Sequence, residues 1–268
     1  MNFSLEDYLC SSFVSERLFH PRQMAEPSSE EFNAEILNFV INSGISIGGL
    51  FFGNESENPT MLIFHGNGEI ACDYSMGIEE YLSCGVNVGV IDFRGYGWST
   101  GTLNYLNLIT DAVQIFNKFT VFLEEKNFST KIFVLGRSLG SICAAEIGAH
   151  RFDNILGIIF DSGFADSYTL FQTIFGINLS GISHEDLLPY TAKPRLAKIE
   201  KPTLILHGTA DRIIPFNQAQ EIYKTLPNNI FKRLVPIKGA HHNTIHTFTE
   251  EYFDELNVFC RRVFFPSS

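Results

Sequence analysis

The sequence predicts an α/β fold: a mostly parallel central sheet with an N-terminal antiparallel hairpin, helices on both faces and a small helical lid. Two patterns point there. Short apolar runs at Met61 to Phe64, Val86 to Ile91, Ile132 to Leu135, Ile155 to Phe160, Thr203 to Leu206 and Phe231 to Ile237 alternate with helix-length segments, which is the mark of βαβ units. Apart from Lys232 and Arg233 in the last, those runs are almost wholly apolar, as strands covered on both faces are.

Each element follows from its residues. Residues 1–34 read as an N-terminal arm, mixed polar and aromatic, with a turn-rich Pro27-Ser-Ser-Glu-Glu stretch and no chemistry of its own. Glu35 to Ile41 and Ser46 to Phe52, separated by Asn42-Ser-Gly, read as a β-hairpin leading into the main sheet. Leu106, Ile109, Val113 and Phe116 make one helical stripe, and Phe253, Leu256, Phe259 or Cys260, and Val263 make another. The segment Ile142, Cys143, Ala144, Ala145, Ile147 and Ala149 is apolar nearly all round, as expected of a buried helix. Pro236 lacks an N–H for a sheet ladder, so the last run belongs at an edge. The single long insertion, 162–200, carries a stripe at Phe164, Tyr168, Phe171 and Phe175 and reads as the lid. Phe164, Tyr168 and Phe171 either roof a substrate pocket or pack on the sheet like any amphipathic helix. A lid this short suits short-chain or amphiphilic acyl groups better than bulk triglyceride.

Length and composition bound the function. A chain of 268 residues, 45% hydrophobic and 18% charged, suits one domain over 1–268 with one sizeable core. No apolar run is long enough to span a bilayer, and Met1-Asn-Phe-Ser-Leu-Glu-Asp lacks the basic and apolar regions of a signal peptide. A cytoplasmic home is the expectation. Cys10, Cys72, Cys84, Cys143 and Cys260 are scattered with no C-x-x-C pair, which reads as reduced packing thiols, with no disulfide framework and no zinc site. The formal charge of −11 repels phosphate backbones, so nucleic acid is not an expected partner. Nothing in the chain assigns an oligomeric state.

In parallel sheets the binding crevice lies beyond the carboxyl ends of the strands. Here those ends are followed by His65-Gly-Asn-Gly-Glu69, Asp92-Phe-Arg-Gly-Tyr-Gly-Trp98, Gly136-Arg-Ser-Leu-Gly140, Asp161-Ser-Gly-Phe164, His207-Gly-Thr-Ala-Asp211 and Gly239-Ala-His-His-Asn243. The G-x-S-x-G turn between a buried strand and a small-residue helix makes Ser138 the candidate nucleophile. A serine on so sharp a turn has strained backbone angles, and glycines two residues away let strand and helix pass. A serine hydroxyl needs a histidine to take its proton and a carboxylate to fix that imidazole. Asp211 after the penultimate strand and His242 after the last supply both.

The combination resembles the α/β-hydrolase superfamily of serine hydrolases, in the small-lid branch that includes serine aminopeptidase-like and monoacylglycerol-lipase-like proteins. The resemblance covers about residues 35–264 and rests on the elbow, the H-G-N-G after an early strand, the H-G-T-A-D-R after a late one, and the G-A-H-H-N before a C-terminal helix. It implies an α/β-hydrolase fold with Ser138 as nucleophile, Asp211 as acid and His242 as base, and it implies that the backbone N–H groups of Asn67 and Leu139 form the oxyanion hole. It further implies a small-molecule acyl substrate, an ester, thioester or amide with ester chemistry ahead of peptide chemistry, and no cofactor or metal.

Alternatives remain at three points. His241 competes with His242, although the family pattern places the base three residues after the glycine and before Asn243. Asp161 also ends a strand and competes with Asp211 as the acid. Glu69, Arg94 and Arg137 either shape the pocket floor or are solvated, and an unpaired arginine there would point to an anionic substrate. His65 and His207 read as structural, and Trp98 as packing. Dehalogenases and epoxide hydrolases place aspartate at the elbow, against Ser138. A non-catalytic ligand-binding or interaction protein on the same scaffold is the rival class, but such proteins usually lose a triad member.

Overall fold

The computed structural model describes residues 4–41 and 44–265. Among the described residues eight strands form one sheet: β1 (Glu35–Val40), β2 (Ser46–Phe52), β3 (Thr60–Phe64), β4 (Asn87–Ile91), β5 (Ile132–Arg137), β6 (Ile155–Asp161), β7 (Thr203–Gly208) and β8 (Lys232–Ile237). Their spatial order is β1-β2-β4-β3-β5-β6-β7-β8, with β1 and β2 antiparallel to their neighbours and the rest parallel. The expected hairpin is present, while Asn42 and Ser43 of its turn, like Met1 to Phe3 at the start, lie outside the described residues.

Burial explains the strand sequences. β3, β4, β5 and β7 are buried at every position, because crossover helices cover both faces of a parallel sheet. In β8 only Ile237 is fully buried; β8 is the edge strand that Pro236 requires.

The helix from Tyr105 to Glu125 buries Tyr105, Leu108, Ile109, Ala112, Ile115, Phe116, Phe119 and Leu123. The expected stripe is therefore offset: Ile109 and Phe116 lie at its centre, but Leu106 and Val113 lie at its half-buried margin. Asp111 sits on the buried face as well, tolerated there because Arg94 Nη2 donates to it at 2.7 Å. In the C-terminal helix Thr249–Phe264, Tyr252, Leu256, Phe259 and Cys260 are buried. Phe253 and Val263 are its margin.

The 162–200 segment forms the helices Ser167–Thr173, His184–Leu187 and Lys193–Leu196 with a 3-10 turn, Leu188–Tyr190. At the other end of the chain, the helices Leu5–Leu9 and Ser12–Leu18 bury Leu9, Val14 and Leu18. Among the described residues no helix is long and apolar enough to cross a membrane.

Candidate active site

Sheet order assembles the site. β3, β5, β6, β7 and β8 are consecutive neighbours, with Phe64 paired to Gly136, Arg137 to Asp161, and Gly208 to Ile237. The loops that leave their carboxyl ends therefore stand side by side.

Ser138 has φ 48°, the left-handed region that a residue with a side chain enters only under constraint. The glycines supply that constraint. A Cβ on Gly140 would stand 2.6 Å from the Phe64 carbonyl carbon, and one on Gly136 would stand 2.7 Å from Ala144 Cβ. The turn Ser138–Gly140 leads directly into the buried helix Ser141–Ala149.

Ser138 Oγ lies 2.9 Å from His242 Nε2, and His242 Nδ1 lies 2.7 Å from Asp211 Oδ2. The other carboxylate oxygen, Oδ1, accepts from the Ile213 and Ile214 N–H groups at 2.9 Å each. Those two bonds orient the carboxylate so that Oδ2 faces the imidazole. Burial by itself would raise the Asp211 carboxyl, but the His207 and His242 imidazoles and the Ile214 N–H outweigh it and hold it below the usual carboxylate range. All three residues are 7–8% exposed, so water is restricted while the serine stays reachable.

The competing residues sit elsewhere. His241 is exposed, and its Nδ1 donates to the Ala210 carbonyl at 2.8 Å. Asp161 takes His246 Nε2 at 2.7 Å, Tyr252 Oη at 3.1 Å and Ser162 Oγ at 2.9 Å, so its imidazole partner is His246, a histidine the sequence did not single out. His65 and His207 are fully buried; His65 Nδ1 donates to the Gly66 carbonyl and His207 Nε2 to that of Ile214. Trp98 packs over Gly48 and donates from Nε1 to Asn38 Oδ1 at 3.1 Å.

Both arginines are paired. Arg137 Nε donates to Glu69 Oε1 at 2.7 Å, and its Nη1 lies 3.4 Å from both Asp161 oxygens. Arg94 is held by Asp111, so neither guanidinium is available to an anionic substrate. Burial by itself would raise the Glu69 carboxyl, but the Arg137 charge and the Gly66 N–H lower it to about 2.

The N-terminal arm, from which the sequence offered no chemistry, grips the Asn67 loop. Asn67 Nδ2 donates to the Leu18 carbonyl at 2.7 Å, while its Oδ1 accepts from the His20 N–H at 2.9 Å and from Tyr96 Oη at 2.7 Å. No local sequence signal marks this contact, since the partners lie 29 to 49 residues away.

A cavity of about 620 Å³ opens between the segments 67–81 and 243–253, walled by Asn67, Glu69, Tyr74, Tyr81, Arg137 and Asn243 among others. Phe164, Tyr168 and Phe171 form no part of it. Phe171 is buried edge-to-face against Tyr105, Phe164 is buried, and Tyr168 Oη donates to the Ile182 carbonyl at 3.1 Å. Of the two uses left open for this stripe, packing is the one these contacts serve. Among the described residues no group of three or more His, Cys, Asp or Glu side chains is placed to hold a metal. The five cysteines are unbridged, and all but Cys10 are buried.

Sheet topology, elbow and residue order together define an α/β hydrolase. The model of the serine aminopeptidase family, S33, matches residues 55–174 and 190–247, well over half of the chain. The chain belongs to that family. Among its relatives are protein bem46 of Schizosaccharomyces pombe, 29% identical over 197 residues, covering 70% of this chain and 65% of bem46, and the α/β hydrolase domain-containing protein aho-3 of Caenorhabditis elegans, 26% identical over 210 residues, covering 75% and 57%. The match thus spans less than two thirds of the length of either relative. The esterase Pf2001 of Pyrococcus furiosus shares the fold with a TM-score of 0.70 at 20% identity, over 91% of this chain and 98% of its own.

Proposed function

We propose that the chain is a serine hydrolase that cleaves a carboxylic ester, thioester or amide through an acyl-enzyme, with Ser138 as nucleophile, His242 as general base and acid, and Asp211 as the carboxylate that orients it. The observation that carries this is the unbroken series Asp211 Oδ2, His242 Nδ1, His242 Nε2, Ser138 Oγ at 2.7 and 2.9 Å. Membership of the serine aminopeptidase family supports the same class of reaction.

Ser138 Oγ attacks the carbonyl carbon as its proton passes to His242 Nε2. The tetrahedral oxyanion is received by the Asn67 and Leu139 backbone N–H groups, which leave adjacent strands β3 and β5. Collapse breaks the bond to the leaving group, which takes the proton from His242. Water then loses a proton to His242 and attacks the acyl carbon, and the proton returns to Ser138 as the carboxylic acid departs. Neither Ser138 nor His242 lines the 620 Å³ cavity, but Asn67, Arg137 and Asn243 of its wall adjoin the reacting groups in the chain, so a substrate arm reaching past Asn67 is directed toward it. The paired state of Arg94 and Arg137 favours uncharged arms over anionic ones. Residues 162–200 act as the lid, packed against Tyr105 of the long helix and Glu6 of the N-terminal arm, and buried, unbridged thiols suit a reducing, cytoplasmic setting.

Ser138→Ala tests the assignment. It abolishes labelling by a fluorophosphonate probe and lowers turnover of p-nitrophenyl esters by several orders of magnitude, because triad members act as a unit. Equal labelling of the variant and the parent overturns it. Rates on matched ester, thioester and aminoacyl amide substrates then assign the bond cleaved.

A further inference from the structure

One buried guanidinium ties together the loops on either side of the proposed nucleophile. Arg137 immediately precedes Ser138, and its side chain is 5% exposed. Its Nε donates to Glu69 Oε1 at 2.7 Å, while Glu69 Oε2 accepts from the Gly66 N–H at 2.8 Å and from Tyr74 Oη at 2.9 Å. That arm fixes the turn presenting Asn67. The Nη2 group donates to the His242 carbonyl at 3.1 Å. Nη1 faces Asp161, which in turn holds His246 Nε2 at 2.7 Å. His242 and His246 belong to the same short turn, His242–Thr247, so this second arm grips that turn at two points.

We propose that Arg137 is a positioning residue that registers the oxyanion loop, through Glu69, and the general-base turn, through the His242 carbonyl and Asp161, against the nucleophile it adjoins. The proposal rests on the assignment of Ser138, His242 and Asp211 above. A guanidinium suits this task because its planar fork carries five donors and reaches three partners at once; an ammonium is a point charge and cannot. The other buried polar contacts of Asp161, to Tyr252 Oη and Ser162 Oγ, hold the carboxylate in place without touching the triad.

The charge count supplies usable variants. Two carboxylates share one guanidinium, so Glu69→Gln leaves a balanced Arg137–Asp161 pair and Asp161→Asn leaves a balanced Arg137–Glu69 pair. Neither strands a buried cation. Arg137→Lys keeps the charge and loses the fork. Each is compared with the parent by thermal midpoint, by ester kcat and KM, by the rate of fluorophosphonate labelling, and by the downfield proton resonance of the His242–Asp211 hydrogen bond.

Arg137→Lys lowers kcat and labelling rate about 10²-fold, the cost of a misplacement of order 1 Å, while KM stays within about threefold. Its His242 proton resonance shifts. Asp161→Asn shifts that resonance too, whereas Glu69→Gln lowers kcat and leaves the resonance in place, since only the oxyanion arm is disturbed. Folded variants with parental kcat and an unmoved resonance overturn the proposal, as does a loss of activity that merely follows the thermal midpoint. If the parent takes no label at Ser138, the hydrolase assignment fails, and the resonance still decides whether Arg137 holds the base turn.

Discussion

Replacing Asp211 with asparagine changes one atom and, by the geometry, reverses a tautomer. Oδ1 of Asp211 is committed to two donors, the Ile213 and Ile214 N–H groups. Asparagine must place its carbonyl oxygen there, because the opposite flip would set an NH2 against both donors and leave them unsatisfied in a buried site. Its NH2 then occupies the Oδ2 position, 2.7 Å from His242 Nδ1. A donor there requires Nδ1 to accept, so the ring proton moves to Nε2, which faces Ser138 Oγ. An imidazole that presents N–H to the serine cannot take its proton. The expected loss is about 10⁴ in kcat, as for the same change in a serine protease triad, or about 5 kcal/mol of transition-state stabilisation. Steady-state p-nitrophenyl ester hydrolysis measures it, with circular dichroism and a thermal midpoint showing that the variant is folded. A folded Asp211→Asn enzyme within tenfold of the parent refutes the tautomer argument. So does an Asp161→Asn variant that loses more than Asp211→Asn.

Three further outcomes follow from the packing and the charges. Gly140→Ala drives a Cβ into the Phe64 carbonyl, with backbone rather than a flexible side chain in the way; overpacking of about 1–3 kcal/mol lowers the thermal midpoint, and activity falls because Ser138 sits on the displaced turn. Phe171→Ala costs about 3–5 kcal/mol of stability, as buried aromatic truncations do, with KM for short esters unchanged; a rise in KM at parental stability would instead make Phe171 a pocket residue. Glu69 is held at about 2 against an ordinary 4.5 by Arg137 and the Gly66 N–H, so the folded state binds fewer protons than the unfolded chain between those values. Its stabilisation is complete above about pH 4.5 and is lost as the pH falls toward 2. Glu69→Gln therefore flattens the stability profile across that window in urea titrations at pH 5, 4 and 3; an unchanged slope contradicts the sign.

The order of β strands and helices, the hairpin, the edge position of β8 and the elbow could be read directly from the chain because each is a local property. Apolar runs of strand length, a proline without an N–H, and glycines flanking a serine act through neighbours a few residues away. The offset of the Tyr105–Glu125 stripe shows where local pattern weakens. Its buried face is set by what the helix meets, and the Arg94 partner makes room there for Asp111, an acid that periodicity assigns to solvent.

What only the tertiary structure decided is which carboxylate meets which imidazole. Asp161 ends one parallel strand and Asp211 follows another, and His241, His242 and His246 fall within six positions, so chain order allows several pairings. The pairing depends on side-chain direction, and that is fixed by contacts far apart in sequence: the Ile213 and Ile214 amides turn Asp211 toward His242, and Arg137 with Tyr252 turns Asp161 toward His246. The linear chain carried the inventory of reactive groups and the order in which strands deliver them. Long-range hydrogen bonding, which has no signature along the chain, decided their orientation.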